Sequence, residues 1–508
     1  MIESIITTEN PPVHLVKYVL SNSNKILKIY KNIIDAYVLD FFTRSHWNKL
    51  PVTWRLFFST ITLDDLQIFL SSHWNKLPVT WRLFFSTITL DDLQIFLNVN
   101  NQLSCRRQVW PLEIICLHKF SVPRDISKNQ IAEQHKYCNM YSSVNHNVKL
   151  EKLLWKHVKN KKRHEIKSFV NLICRTAAIA KCRYVVDVGS GLGHLDRLLA
   201  YGCGFRTCGI ECNEKLIVRA RNLDQLFEKQ ARAYNRDILL ATNTPIHIRY
   251  LIDPTIDSVE FIKLIRDAFE TDEPFGIVGL HPCGDLGPTL LRLYQSCTNI
   301  KFINIVGCCY MKLTTCEETS SNRYGFPMSR FAVENKFHLS YNAREVACHA
   351  IETYLDRLRT GQHWQFKIHA YRAALEYLIV EKYPQLGRTA LANVKYRTEM
   401  SFSEYCIKAL KHMDSKLITK EDKDSDMIKT FLQDWKAVVT FYSIRLFFAS
   451  LIESMILLDR YLYLCQETND DGSCSLITLF DPLLSPRNHV LIGKRDQQRV
   501  CSAVNNVL

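Results

Sequence analysis

Asp187-Val-Gly189-Ser190-Gly191-Leu-Gly193-His194 sets three glycines at alternate positions behind an acid. Glycines so spaced allow a tight turn with φ > 0, and the turn lets backbone N–H groups and a helix N-terminus approach a ligand. Glu211 follows 22 residues after Gly189, closing a second apolar run. An acid at that distance accepts hydrogen bonds from ribose hydroxyls. A glutamate at a strand end facing water is the plainer reading of the same residue. Other polar residues follow later apolar runs: Asp253, then His281, Cys283 and Asp285, then Gly307 to Tyr310.

The elements that must position these residues alternate. Tyr184-Val-Val186 reads as a buried strand, and His194 to Leu199 as a helix. Thr207–Glu211, Ile246–Ile252, Phe275–Leu280 and Lys301–Val306 read as further strands. Ser258–Phe269 and Thr289–Tyr294 carry helical spacing between them. Strands alternating with helices predict an α/β fold, a Rossmann-like doubly wound sheet, whose ligands sit beyond the carboxyl ends of the strands.

A dinucleotide fingerprint spaces its last glycine by two residues and normally lacks a leading acid. Asp187 therefore favours the (D/E)-x-G-x-G-x-G pattern of enzymes that use S-adenosyl-L-methionine. Several longer strings resemble the methyltransferase-like protein 25 family. They are Val186 to Leu195, Gly279-Leu-His-Pro-Cys-Gly-Asp-Leu-Gly-Pro-Thr-Leu290, Val306-Gly-Cys-Cys-Tyr-Met-Lys-Leu313, Lys161-Lys-Arg-His-Glu165, Gly325-Phe-Pro-Met-Ser329, Ala343 to Ala350, Leu457 to Arg460 and Ser485-Pro-Arg-Asn488. The resemblance runs through roughly the whole chain and implies a class I methyltransferase fold. With the turn pattern, it makes Asp187, Gly189, Ser190, Gly191, Gly193, His194, Glu211 and Asp253 the expected cofactor-binding residues. The paired His-x-Cys-Gly and Cys-Cys elements are similar to those of a tRNA ribose methyltransferase branch, which implies RNA ahead of protein as acceptor. The chain departs from the family pattern at Leu192, Asp196 and Pro282, where Lys, Ser and Thr are expected. Leu192 and Asp196 remove a positive charge and add a negative one beside the cofactor loop. A cofactor-binding scaffold without turnover is thus the alternative class.

Methyl transfer from a sulfonium is an in-line displacement in which positioning carries most of the catalysis, and a base helps when the acceptor must lose a proton. His281 or Asp285 is expected to orient or deprotonate the acceptor. The competing readings are a packed histidine and a helix cap. Glu165 reaches the cofactor's amino group if its helix covers the pocket. His281, Cys283, Cys308, Cys309 and Cys316 contain no Cys-x2-Cys pair, so no metal is expected and the thiols read as small apolar residues.

Composition is that of an ordinary globular chain: 508 residues, 47% hydrophobic and 23% charged, which argues against disorder or a fibrous fold. A formal net charge of +14 is compatible with an anionic partner such as RNA. Eighteen cysteines without a basic start and apolar run at Met1 to Asn10 point to a reduced, intracellular protein, cytoplasmic or nuclear. The basic run from Lys149 to Lys167 reads as a solvated helix face or an anion-binding collar.

Four segments are expected. Residues 1–148 form an N-terminal helical region, with two helices broken near Ser21-Asn-Ser-Asn24, and contain an unchanged duplication of Ser45–Leu70 at Ser72–Leu97. Residues 149–313 form the methyltransferase core. Residues 314–465 form a helical insertion, with a capping box at Asn342–Glu345, a charged linker at Thr419–Asp426 and an apolar stretch, Val438–Leu464, whose four charged residues argue against a membrane span. Residues 466–508 supply a terminal strand pair, Ser475–Phe480 and His489–Gly493, that completes the core sheet.

Overall fold

The computed structural model describes residues 9–50, 52–60, 62–63, 121–122, 124, 152–234, 243–315, 324–388, 391–395, 397, 399–413, 417–467 and 472–495. The second copy of the duplicated unit, and Cys316, lie outside the described residues. Two compact units divide the chain. One gathers Asn22–Val122 and Ser340–Ile452; the other gathers Ile6–Ser21, Pro123–Leu339 and Glu453–Leu508.

The second unit contains the sheet. Its strands are β1 (Tyr184–Val188), β2 (Arg206–Glu211), β3 (Ile246–Arg249), β4 (Phe275–Gly279), β5 (Ile300–Val306), β6 (Gly472–Thr478) and β7 (His489–Arg495). They run in the order β3-β2-β1-β4-β5-β7-β6. The first five pair in parallel, and β7 joins β5 antiparallel before pairing with β6. The terminal strands thus complete the sheet, as the methyltransferase resemblance implies.

Alternation along each strand sends successive side chains to opposite faces, and both faces are covered by helices. On one face α1 (Asn160–Ile179) lays Ile166, Phe169, Val170 and Ile173 on Val185, Val278, Phe302 and Val490. Polar groups join that face too, with Asn304 Nδ2 donating to Thr176 Oγ1 at 2.8 Å. A short α2 (His194–Arg197) and α3 (Glu214–Tyr234) complete it, the latter stacking Phe227 on Tyr201 at 4.6 Å. The other face receives α4 (Ser258–Phe269), with Phe261 6.2 Å from Phe275, and α5 (Leu286–Ser296). Each buried Val, Ile or Phe contributes about 1.5–3 kcal/mol, and dozens of them fix the register of the strand ends.

The first unit is helical, and three expectations change there and nearby. No break occurs at Ser21–Asn24, for one helix runs through Val13–Ile29. Val16, Val19, Leu20, Ile26 and Leu27 are all buried, which outweighs the small helix-propensity cost of Ser and Asn. The cap before Ala343 is Ser340, whose side chain accepts from the Ala343 N–H, and the helix stops at Val346 before a second begins at Ile351. The charged linker is structured. Thr419 and Asp422 form a capping box on Lys420–Lys423, and Ser425 caps Asp426–Gln433. The apolar stretch forms Trp435–Phe447 and Ala449–Glu467, and 94% of its most apolar window is buried inside the protein.

Candidate active site

The glycine turn leaves β1 with Gly189, Gly191 and Gly193 at φ 78°, 61° and 65°, a left-handed path that side-chain-bearing residues rarely take. The N–H groups of Gly189 and Ser190 donate to the Ile210 carbonyl at 2.9 and 3.2 Å, which ties the turn to β2. Glu211 ends β2 and accepts from the Gly191 N–H at 3.1 Å and from the Asn213 N–H at 3.0 Å. A side chain at Gly191 would meet no atom within 4 Å, so the mouth of the turn is open beside that carboxylate.

Beneath the turn lies a buried polar chain that the spacing of the motif does not announce. A methyl group on Gly193 would stand 2.6 Å from His247 Cε1. His247 Nε2 and Asp224 Oδ2 are 2.6 Å apart, and Arg197 Nε donates to Asp224 Oδ1 at 2.6 Å. Arg197 also donates to the Leu192 carbonyl at 3.1 Å and faces His194 Nδ1 at 3.1 Å. Burial, then the Arg197 charge, pushes His194 down to about 4, so its ring is neutral near pH 7.

The acids near the turn differ. Asp187 is buried and pushed up to about 7 by burial, with Lys162 opposing the rise and Glu211 adding to it. Asp196 is fully buried, and neither oxygen has a hydrogen-bond partner on another residue among those described. Burial, then Asp187 and Asp224, raises it well above the carboxylate range. Burial therefore works against the negative charge expected of Asp196 beside the cofactor loop.

Beyond β4 the structure joins two residues that the sequence separates by 116 positions. His281 Nε2 and Glu165 Oε2 stand 3.2 Å apart, with Glu165 almost wholly buried in α1. Ser485 Oγ donates to the other carboxylate oxygen at 2.8 Å. Burial pushes Glu165 up, but the hydrogen bonds from His281 and Ser485 outweigh it and bring the carboxyl down to about 2. His281 keeps 31% of its side chain exposed. Glu165 therefore orients an imidazole, a role different from the expected reach to a cofactor amino group.

Asp285 and Asp253 are used locally. Asp285 Oδ1 accepts from the Thr314 N–H at 2.8 Å, and its side chain makes no cap bond to α5. It thus does not fill the expected capping role; its Oδ1 fastens the β4–α5 turn to the chain after β5. Asp253 is exposed and accepts from the N–H and hydroxyl of Thr255 at 2.9 and 2.5 Å, a turn of its own making. Its hydrogen bonds among the described residues do not reach the glycine turn.

In the described part of the basic run Lys152, Lys156 and Lys159 are exposed, while the residues after them are engaged locally. Arg163 donates to the Val158 and Trp155 carbonyls, and Lys167 sits over the Trp155 ring at 5.3 Å. Lys162 lies under the charges of Glu165, Asp187 and Cys308, and burial lowers its pKa. Lys162, Ser485, Asp224 and His247 were not singled out by the motifs; only Lys161–Glu165 and Ser485–Asn488, among the family-like strings, mark two of them.

Three of the cysteines read as small apolar thiols converge at the strand ends. Cys283 Sγ stands 3.2 Å from both Cys308 Sγ and Cys309 Sγ, and the latter two are 3.6 Å apart. Lack of a Cys-x2-Cys pair therefore does not separate them, because β4 and β5 are neighbours. Hydrogen bonding from Cys308 holds the Cys283 thiol down to about 5. Behind the Cys-Cys turn, buried Tyr310 donates to Glu453 Oε1 at 3.0 Å, and Arg487 Nη1 donates to the same oxygen at 2.9 Å.

Residues 161–316 match the family described as Methyltransferase domain. The chain is 32% identical over 246 residues to methyltransferase-like protein 25 of Homo sapiens, covering 46% of this chain and 39% of that protein. The same protein of Mus musculus gives 32% over 244 residues, with the same shares. The chain thus spans well under half the length of the curated relatives it matches. Among solved structures, a coclaurine N-methyltransferase bound to N-methylheliamine and SAH aligns over 81% of this chain and 96% of its own, at 12% identity and a TM-score of 0.21. A plantazolicin methyltransferase bound to a triazolic substrate analogue and SAH aligns over 60% and 90%, at 12% identity and a TM-score of 0.20. The fold assignment rests on the sheet order and on the match of residues 161–316.

Proposed function

We propose that this chain, a member of the methyltransferase-like protein 25 family through its methyltransferase domain, transfers a methyl group from S-adenosyl-L-methionine to RNA. When bound, the cofactor supplies a methyl group on a positively charged sulfur, open to in-line displacement. The residues present fit it: an open left-handed turn at Gly189–Gly193 lies beside the Glu211 carboxylate, which is placed to accept from ribose hydroxyls. Ser190 and His194 belong to the same turn, and Asp187 closes the strand behind it.

The observation that carries the reading is the His281–Glu165 pair at the end of β4, next to the strand that carries the glycine turn. A carboxylate only accepts, so Nε2 carries the hydrogen in this pair and Nδ1 is left as the proton acceptor. Glu165 fixes that tautomer and steadies the imidazolium that forms, the logic of any carboxylate-oriented histidine. Such a base serves an acceptor that must shed a proton, and a ribose hydroxyl is one. The net charge of +14 favours the polyanionic acceptor over a protein. Burial raises the Asp196 pKa, which weakens the charge argument at that position for a cofactor-binding scaffold without turnover, while Leu192 still departs from the family pattern.

Transfer of labelled methyl from S-adenosyl-L-methionine to total RNA and to total protein tests the proposal. Label should enter RNA and fall about 10²–10⁴-fold in His281→Asn, while calorimetry shows the cofactor still bound. Cofactor binding with no label on either pool would overturn the enzyme reading. Label on protein alone would overturn the acceptor.

A further inference from the structure

We propose that Cys283, Cys308 and Cys309 form a three-thiolate site for a thiophilic metal ion, for which Zn²⁺ is the probe. The three sulfurs lie within 4.8 Å of one another, and among the described residues no histidine or carboxylate joins the group. Two thiolates on a tetrahedral zinc, each at about 2.3 Å, would stand about 3.8 Å apart. Separations of 3.2, 3.2 and 3.6 Å therefore need to open by only a few tenths of an ångström around an ion.

The backbone is bent to make this grouping. Neighbouring residues on an extended chain point to opposite sides, so Cys308 and Cys309 would ordinarily diverge. Cys309 instead takes φ 46° and ψ 46°, a left-handed conformation that costs a non-glycine residue on the order of 1–2 kcal/mol. Cys283 is drawn in from the other side by an isolated parallel bridge to Cys308. Both strands end here, and strain at such a point is a recurring mark of a functional site. Packing alone gives no reason to hold three sulfurs in contact at that cost.

The surroundings suit an anionic cluster. Lys312 acts on Cys283 and Cys309, and the Arg460 and Lys162 charges are felt at Cys308. Three thiolates on a divalent ion carry one net negative charge, which these cations offset. Thiolate donors select zinc, copper(I) or iron–sulfur chemistry over magnesium or calcium. With three protein donors the fourth position stays open, and Cys283 is exposed, so that position can face solvent or an acceptor.

The test uses the full chain, purified under a phosphine reductant, stripped with chelator and reloaded with Zn²⁺ or Co²⁺. A Cys203→Ser/Cys465→Ser background removes two other close pairs of thiols among the described residues, Cys174 with Cys203 and Cys465 with Cys474. About one ion per chain should bind, with thiolate-to-cobalt charge-transfer absorption, and the Cys308→Ser/Cys309→Ser double variant should lose both. A second measurement needs no change to the cluster. Alkylation of Cys283, Cys308 and Cys309, mapped by mass spectrometry, should slow about tenfold when Zn²⁺ is about ten times its Kd, while Cys212, also exposed, should react as before. An unchanged stoichiometry in the double variant, alkylation indifferent to zinc, or a Cys283–Cys308 disulfide as the resting form under reductant would each overturn the proposal.

Discussion

Replacing Asp196 with serine is expected to stabilise the protein, and increasingly so as the pH rises. The carboxyl is fully buried, and among the described residues no other residue partners either oxygen. It presses on the strand beside it, since a methyl group on Gly209 would lie 2.6 Å from Asp196 Oδ2. A buried polar group without a partner costs about 1–3 kcal/mol, and the void left by a smaller side chain returns about 1 kcal/mol of that. Titration adds to the effect. The folded-state pKa is raised, by burial first and by Asp187 and Asp224 next, so the folded chain holds a proton that the unfolded chain loses near pH 4. Stability contributed by this group is complete below the unfolded value and falls as pH rises toward the folded one, by about 1.4 kcal/mol per pH unit. Urea denaturation of the wild type, Asp196→Ser and Asp196→Asn between pH 5 and 8 would measure it. The serine variant should gain about 1–2 kcal/mol at pH 5, and its advantage should widen with pH. The asparagine variant, which keeps the volume but cannot ionise, should share the widening. Parallel pH profiles for all three proteins would refute the argument.

Glu165→Gln should lose stability at neutral pH, about 3 kcal/mol, because the carboxyl is held down to about 2. The sign is opposite to that of Asp196: the contribution is present above the unfolded value and disappears as pH falls toward 2. Denaturation at pH 7 and pH 3 should therefore separate wild type and variant by about 3 kcal/mol at the first pH and by about half of that at the second. Gly193→Ala should abolish S-adenosyl-L-methionine binding in calorimetry and lower the melting temperature, since φ is 65° and the new methyl displaces His247 from Asp224. Asp285→Ala should cost about 1 kcal/mol by releasing the Thr314 N–H, with cofactor affinity unchanged; a loss of cofactor binding would show that Asp285 does more than fasten a turn.

The strands and the glycine turn were legible because each rests on a local period, an apolar run or a local conformational demand. Tyr184–Val186, Ser258–Phe269 and the terminal pair all carry the alternation or helical spacing of the elements they form. The acids and bases were less legible, because their roles depend on partners far along the chain. Asp285 has the spacing of a helix cap, yet Thr314, 29 residues on, takes its carboxylate. Glu165 was noticed, but nothing near it names His281 or Ser485 as its partners. The three thiols were named together but discounted as a ligand set for a related reason: Cys-x2-Cys spacing is a property of one loop, and these sulfurs follow two different strands. Ser23 and Asn24 show the opposite failure, a local break signal overridden by the burial of the residues around it.

The Ser485–Glu165 hydrogen bond joins residues 320 positions apart, and it sets an order on biosynthesis. All five parallel strands and the helix that carries Glu165 leave the ribosome before β6 and β7 are made. Until then the free side of β5 presents unpaired N–H and C=O groups, a template for pairing with other chains. Glu165 meanwhile lacks one of the two donors that keep it ionised. The nascent protein therefore passes through a stage in which its sheet is open at one edge and His281 faces a carboxylate that is itself poorly held. A chaperone that shields an exposed strand would be most needed in that interval, and a chain that stops before residue 472 would never leave it.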